Sequence, residues 1–176
     1  MLFNSAQYAV FLVVVFFVFW ALARFRLLRV LFLLAASYYF YANWNPYYLG
    51  LIFLTSNVDF LVGRLLGATE DGRRRGWLLA ASVTVNLGVL CAFKYFNFLS
   101  DSVVSLATAL GVGLPETHLD VLLPVGISFY TFQSMSYTID VYRRRIEPEG
   151  SYPRYLLFVS LFPQLVAGPI VRASHL

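Results

Sequence analysis

Charge is scarce in this 176-residue chain: Asp, Glu, Lys and Arg together make up 12% of it, against about 25% in a soluble domain. So little polar surface cannot clothe a compact fold in water, which excludes a soluble globular protein. The single cysteine, Cys91, excludes an internal disulfide, and two histidines, His118 and His175, cannot join it to supply the usual zinc ligands. No metal site and no bound cofactor is expected. Glycine is missing where two familiar motifs need it. Gly126-Ile127-Ser128-Phe129-Tyr130 lacks the second glycine of a nucleophile elbow, and Gly111-Val112-Gly113 lacks the third of a dinucleotide loop. Serine hydrolase and Rossmann chemistry therefore drop out.

What the chain does contain is apolar and aromatic: 60% hydrophobic residues, 18% of the chain being Phe, Trp or Tyr. Apolar runs cover 8–23, 27–42, 47–66, 77–93, 121–142 and 155–171. At about 20 residues per crossing, that leaves room for five or six spans and no soluble domain. The net charge of +4 is not a nucleic-acid signal, because the basic residues form tight groups between apolar runs. Arg24, Arg26 and Arg29, then Arg73 to Arg75, then Arg143 to Arg145 are the pattern of cytoplasmic loops. The first run is followed, not preceded, by arginines, the reverse of a signal peptide, so it is expected to remain as a span with its N-terminus outside.

The stretch 97–110 is short, and Asn97, Asp101, Ser105 and Thr108 share one helical face. It reads as an interfacial or re-entrant helix. Charge parity agrees, since a crossing there would put Arg143 to Arg145 outside. The expected fold is an all-α, multi-pass bundle of about five spans plus this short helix, with residues 1–176 forming the N-terminal part of one membrane-embedded domain.

Asp59 lies deep in the third run, where a carboxyl is costly unless paired or wet. Thr55 and Gly63 share its face, so a polar, closely packed strip is expected to point inward. Two readings stand: a proton relay or substrate contact, and an ion pair with an arginine such as Arg64 or Arg143. The run 121–142 is polar on both sides. Gly126, Phe129, Gln133, Ser136, Tyr137 and Asp140 occupy one sector; Ser128, Thr131 and Thr138 lie opposite. Such a helix belongs in the middle of a bundle, either lining a cavity or bonding its neighbours. Pro163 and Pro169 are expected to break the last run, which requires other groups to satisfy the freed backbone. The aromatics at 38–48 read as an interfacial belt, and Cys91 as a small buried hydrophobe.

Four stretches, YYFYANWNPYY at 38–48, FKYFNF at 93–98, LPVGISFYTFQ at 123–133 and FPQLVAGPIVR at 162–172, resemble the membrane-bound O-acyltransferase family, in its alginate O-acetyltransferase-like bacterial branch. The resemblance implies the N-terminal part of a helix bundle with a tunnel. Through it an acyl group passes from a cytoplasmic donor, acetyl-CoA or an acyl-carrier thioester, to a hydroxyl of an extracytoplasmic polysaccharide. It implies a multi-pass protein of the inner membrane working with polysaccharide-modification partners. The matching positions, Gly126, Ser128, Tyr130, Gln133, Asp140, Arg143, Gln164, Gly168, Pro169 and Arg172, join Asp59 as tunnel candidates. The family's catalytic histidine is expected beyond residue 176, and neither His118 nor His175 matches it. A transporter or channel subunit, or a non-catalytic assembly subunit, are the alternatives the residues leave open.

Overall fold

A computed structural model describes residues 5–43, 46–111, 113 and 126–167. Its regular elements are all helices, among the described residues: α1 (Ala6–Ala21), α2 (Arg26–Ala42), α3 (Pro46–Ala68), α4 (Gly72–Lys94), α5 (Phe96–Ala109), α6 (Ile127–Tyr142), α7 (Tyr152–Ser160) and α8 (Phe162–Ala167). Local chemistry sets the starts. Ser5 Oγ accepts from Tyr8 N (3.2 Å) and Asp71 Oδ1 from Arg73 N (3.0 Å), each satisfying an amide that the first turn leaves free. Pro46 and Pro153 sit in the first turns of α3 and α7, where no amide hydrogen is needed. The arginines at 73–75 thus lie in the first turn of α4, not in a loop.

Two helices, α3 and α4, are long and apolar enough to cross a membrane on length and composition, and α1 is apolar but shorter. On α4 burial is inverted relative to a soluble bundle. The buried positions of α4 are Arg75, Ser82, Asn86 and Leu90, one stripe at helical spacing, while Trp77 and Leu87 face outward. Helix α6 buries Gln133, Ser134 and Thr138 alongside the apolar Ile127 and Val141 and the rings of Tyr130 and Tyr137, and exposes Phe132. Polar groups turned inward and apolar groups outward are what a lipid solvent selects. Cys91 belongs to that outer surface, which corrects the expectation of a buried thiol. Among the aromatics at 38–48, Phe40, Tyr41 and Tyr48 are buried, so packing, not a belt, accounts for these three.

Helix α6 is central, packed on α3, α4 and α7. It runs parallel to α3, with Gly63 against Tyr137. A Cβ on Gly63 would come within 2.6 Å of the Tyr137 hydroxyl, so the Tyr137 ring lies flat on α3 there only because that side chain is missing. Gly126 precedes α6 at φ 75°, a left-handed turn that suits glycine.

All three arginine groups gather at one end. Arg75 reaches the last turns of α3 and α6, Arg144 pairs with Glu70, and Arg26 and Arg154 line one 260 Å³ cleft. At the opposite end Lys94 Nζ meets Ser128 Oγ (3.4 Å), joining the end of α4 to the start of α6. The end of α4 and the start of α6 thus lie at the same end of the bundle. Between them α5 matches the expected short helix, packs on α4 and buries none of its residues.

Candidate functional site

Asp59 is fully buried and is met by four neutral donors from two neighbouring helices. Its Oδ1 accepts from Ser82 Oγ and from Thr138 Oγ1 (3.3 Å); its Oδ2 accepts from Asn86 Nδ2 (2.7 Å) and from Ser134 Oγ. Ser134 donates to Asp59, which leaves the Tyr155 hydroxyl to donate to Ser134 (2.9 Å). The cage ties α3, α4, α6 and α7 together. Among the described residues no arginine or lysine pairs with Asp59; Arg64 and Arg143 are both exposed. The ion-pair reading is thereby corrected: hydroxyl and amide donors stabilise the buried acid in place of a cation, filling the two acceptor positions on each oxygen. Thr55 and Gly63 are buried on the same face of α3, as their spacing predicts.

The α7–α8 break is a second polar construction. Leu161 is extended (φ −59°, ψ 112°), which separates Phe158 O from Phe162 N, partners in an uninterrupted helix. Each finds another. Ser37 Oγ on α2 accepts from Phe162 N (3.3 Å), and Gln133 Nε2 on α6 donates to Phe158 O (2.6 Å). The proline-associated break at 163 is thus present, with Phe158 O and Phe162 N each bonded by a neighbouring helix; Pro169 lies outside the described residues.

At the arginine end the three clusters divide by role. Arg75 is buried and donates to Leu66 O, Thr69 O (3.1 Å), Val141 O (3.2 Å) and Tyr142 O (2.7 Å), closing the C-termini of α3 and α6 at once. Arg144, at φ 57°, pairs with Glu70, and Arg145 with Asp140 (3.6 Å). These residues surround a 400 Å³ cleft whose wall includes Gly67, Arg75, Glu147 and Pro148.

The predicted positions are therefore dispersed. Tyr130 and Gln133 are buried, Gln133 against the break, and Gln164 is half-buried in α8, its backbone N–H bonded to Leu161 O (3.1 Å). Gly126 and Ser128 lie at the end opposite the arginines; Asp140 and Arg143 lie at the arginine end, Arg143 exposed. Gly168, Pro169 and Arg172 lie outside the described residues, as do His118 and His175. Sequence reasoning missed Ser82 and Asn86, although they are polar residues one turn apart in an apolar run. It also missed Ser37, Arg75, Ser134 and Tyr155. Ser134 had a signal, its i, i+4 relation to Thr138; Arg75 had none, being one of three adjacent arginines.

Comparison with known proteins places this geometry in context. The chain is 42% identical over 152 residues to the probable alginate O-acetylase AlgI of Azotobacter vinelandii, across 84% of the chain. It is 41% identical over 150 residues to the same-named protein of Pseudomonas aeruginosa, again across 84% of the chain. It is 31% identical over 186 residues to the peptidoglycan O-acetyltransferase of Helicobacter pylori, across 92% of the chain. These matches span 30%, 28% and 34% of the relatives' own lengths. No family model and no solved structure matches the chain.

Proposed function

We propose, for a chain that belongs to the membrane-bound O-acyltransferase family, that the whole protein is a multi-pass O-acetyltransferase of the inner membrane acting on a polysaccharide such as alginate. The observation that carries the proposal is the 42% identity to an alginate O-acetylase over 84% of the chain. The inverted burial of α4 and the two helices long and apolar enough to cross a membrane support a bilayer setting. The gathering of the arginines at one end supports a cytoplasmic face there, where a thioester donor, acetyl-CoA or an acyl carrier, would dock. The acceptor would then approach from the opposite end, together with the extracytoplasmic partners that handle the polymer. Of the tunnel candidates, Tyr130 and Gln133 are buried at the bundle centre. Asp59 is enclosed by its own donors, which favours a structural clamp over substrate contact. Neither His118 nor His175 is assigned a catalytic role.

The experiment is direct. Membranes holding the full-length gene product are given radiolabelled acetyl-CoA and alginate oligosaccharides, and acetyl ester is counted. Ester formation that depends on the protein is the expected result. Membranes in which the protein accumulates without forming ester would overturn the proposal.

A further inference from the structure

At the arginine end, α2 and α7 enclose a 260 Å³ cleft walled by Arg26, Leu27, Val30, Ser151 and Arg154. The two helices run side by side in the same direction. Ser37 Oγ meets Phe162 N (3.3 Å), and Arg26 and Ser151 stand equally far back along the chain from that bond (37 − 26 = 162 − 151). The cleft thus lies where the two first turns adjoin.

None of its walls is acidic, among the described residues. Arg26 is exposed, and no described carboxylate pairs with it. Arg154 gives Nη2 to Glu149 Oε1 (3.0 Å), an oxygen that also accepts from Ser151 N (2.7 Å). The Glu149 side chain is 10% exposed and is not part of the wall. It fixes Arg154 and leaves most of the guanidinium donors free. Ser151 makes no cap bond through its side chain, so its hydroxyl is free for the cleft as well. Two guanidinium groups against one carboxylate leave a net positive charge. Both arginines stand in first turns that hold no acidic residue, where the backbone N–H groups already carry positive partial charge. A cation is disfavoured there, and two facing one cleft more so; an anion between them makes both contacts favourable.

The apolar side of the cleft identifies the anion's carrier. Leu27, Val30 and Leu31 share a face of α2, and Leu27 and Leu31 are exposed along it. A soluble phosphate gains nothing from that stripe, whereas acyl chains cover it. Basic pockets between membrane helices on the cytoplasmic side suit phospholipid headgroups.

We infer that the α2–α7 cleft binds the phosphate headgroup of an anionic phospholipid of the cytoplasmic leaflet. Arg26, Arg154 and Ser151 hold the phosphate, and Leu27 and Val30 meet the start of the acyl chains. The cleft shares no lining residue with the 400 Å³ cleft around Arg75, so the two sites are distinct. The inference goes beyond the acetyltransferase reading and rests only on its bilayer setting.

The test uses the full-length protein in detergent, its thermal midpoint read as phosphatidylglycerol, phosphatidylcholine or glycerol phosphate is added. Phosphatidylglycerol should raise the midpoint saturably and the other two should not. Arg26→Gln, which breaks no bond within the protein, should raise the lipid concentration for half the shift about fivefold, and the double variant with Arg154→Gln about twentyfold. Arg74→Gln, at the same end but outside the cleft, should leave it within about twofold. Equal half-points for wild type and Arg26→Gln would overturn the inference. So would an equal loss in Arg74→Gln, the mark of diffuse charge attraction, or no shift with any addition. An equal shift from phosphatidylcholine would overturn the requirement for an anionic headgroup, and one from glycerol phosphate would overturn the lipid in favour of a soluble phosphate. A protein that keeps the lipid shift but transfers no acetyl would overturn the assigned reaction and leave this site standing.

Discussion

Replacing Arg75 by alanine removes the one side chain that closes two helices at once. Arg75 donates to four carbonyls, two from the end of α3 and two from the end of α6, and the contacts to Leu66 O and Val141 O are fully buried. Leaving a buried carbonyl unpaired costs about 1–3 kcal/mol. The two buried acceptors therefore lose about 2–6 kcal/mol together, while the part-buried Thr69 and Tyr142 carbonyls can recruit water. About 3–5 kcal/mol is the expected total, comparable to breaking a buried ionic contact. Lysine should recover less than half of it, because an ammonium lacks the planar fork that spans two helix ends. The neighbouring Arg74 side chain is 79% exposed, so Arg74→Ala should change stability by no more than about 0.5 kcal/mol. Thermal unfolding of the full-length protein in detergent, with its accumulation in the membrane, compares the three variants. A midpoint for Arg75→Ala within a degree of that for Arg74→Ala would refute the capping argument and return Arg75 to a topological anchor.

Asp59→Asn should cost about 1–2 kcal/mol, since the Ser82 and Thr138 hydroxyls can rotate to accept from the new amide; Asp59→Ala, which leaves four donors and a void, should cost about 3 kcal/mol or more. Equal damage from the two would mean that the charge, not the hydrogen-bond count, matters; unfolding midpoints decide. Gly63→Ala drives a Cβ to 2.6 Å from the Tyr137 hydroxyl and should cost about 1–3 kcal/mol, whereas Gly50→Ala on the same helix meets nothing within 4 Å and should be neutral or slightly stabilising. If the two behave alike in the same assay, the close packing of α3 on α6 is wrong. Finally, in a Cys91→Ser background, cysteines at positions 74 and 144 should react with an impermeant thiol reagent from one side of the membrane and a cysteine at 97 from the other. Labelling of 74 and 144 from opposite sides would remove the shared arginine end.

Composition and pattern determined the class of this protein. Scarce charge, apolar runs long enough for a spanning helix and arginines grouped between them point to helices in a bilayer, because a helix pairs its backbone internally, whereas the strands of the other spanning architecture are shorter and alternate in polarity. The 3.6-residue period was enough to put Thr55, Asp59 and Gly63 on one inward face, and the polar spacing at 97–110 was enough to mark a short helix there. The proline at 163 marked the helix break. Pairing across helices was not legible, because sequence spacing defines neighbours within a helix and says nothing of which face meets which. Only the tertiary structure joined Ser82, Asn86, Ser134 and Thr138 around Asp59, where sequence pointed to an arginine. It alone distinguished Arg75, buried against two helix ends, from Arg73 and Arg74 in the solvated turn beside it. Likewise it brought Ser37 and Gln133, 96 positions apart in the numbering (133 − 37), to the two backbone groups that the break sets free. In a membrane these contacts decide the fold, because lipid solvates apolar side chains as well as the protein interior does and leaves packing and polar pairing to select one arrangement.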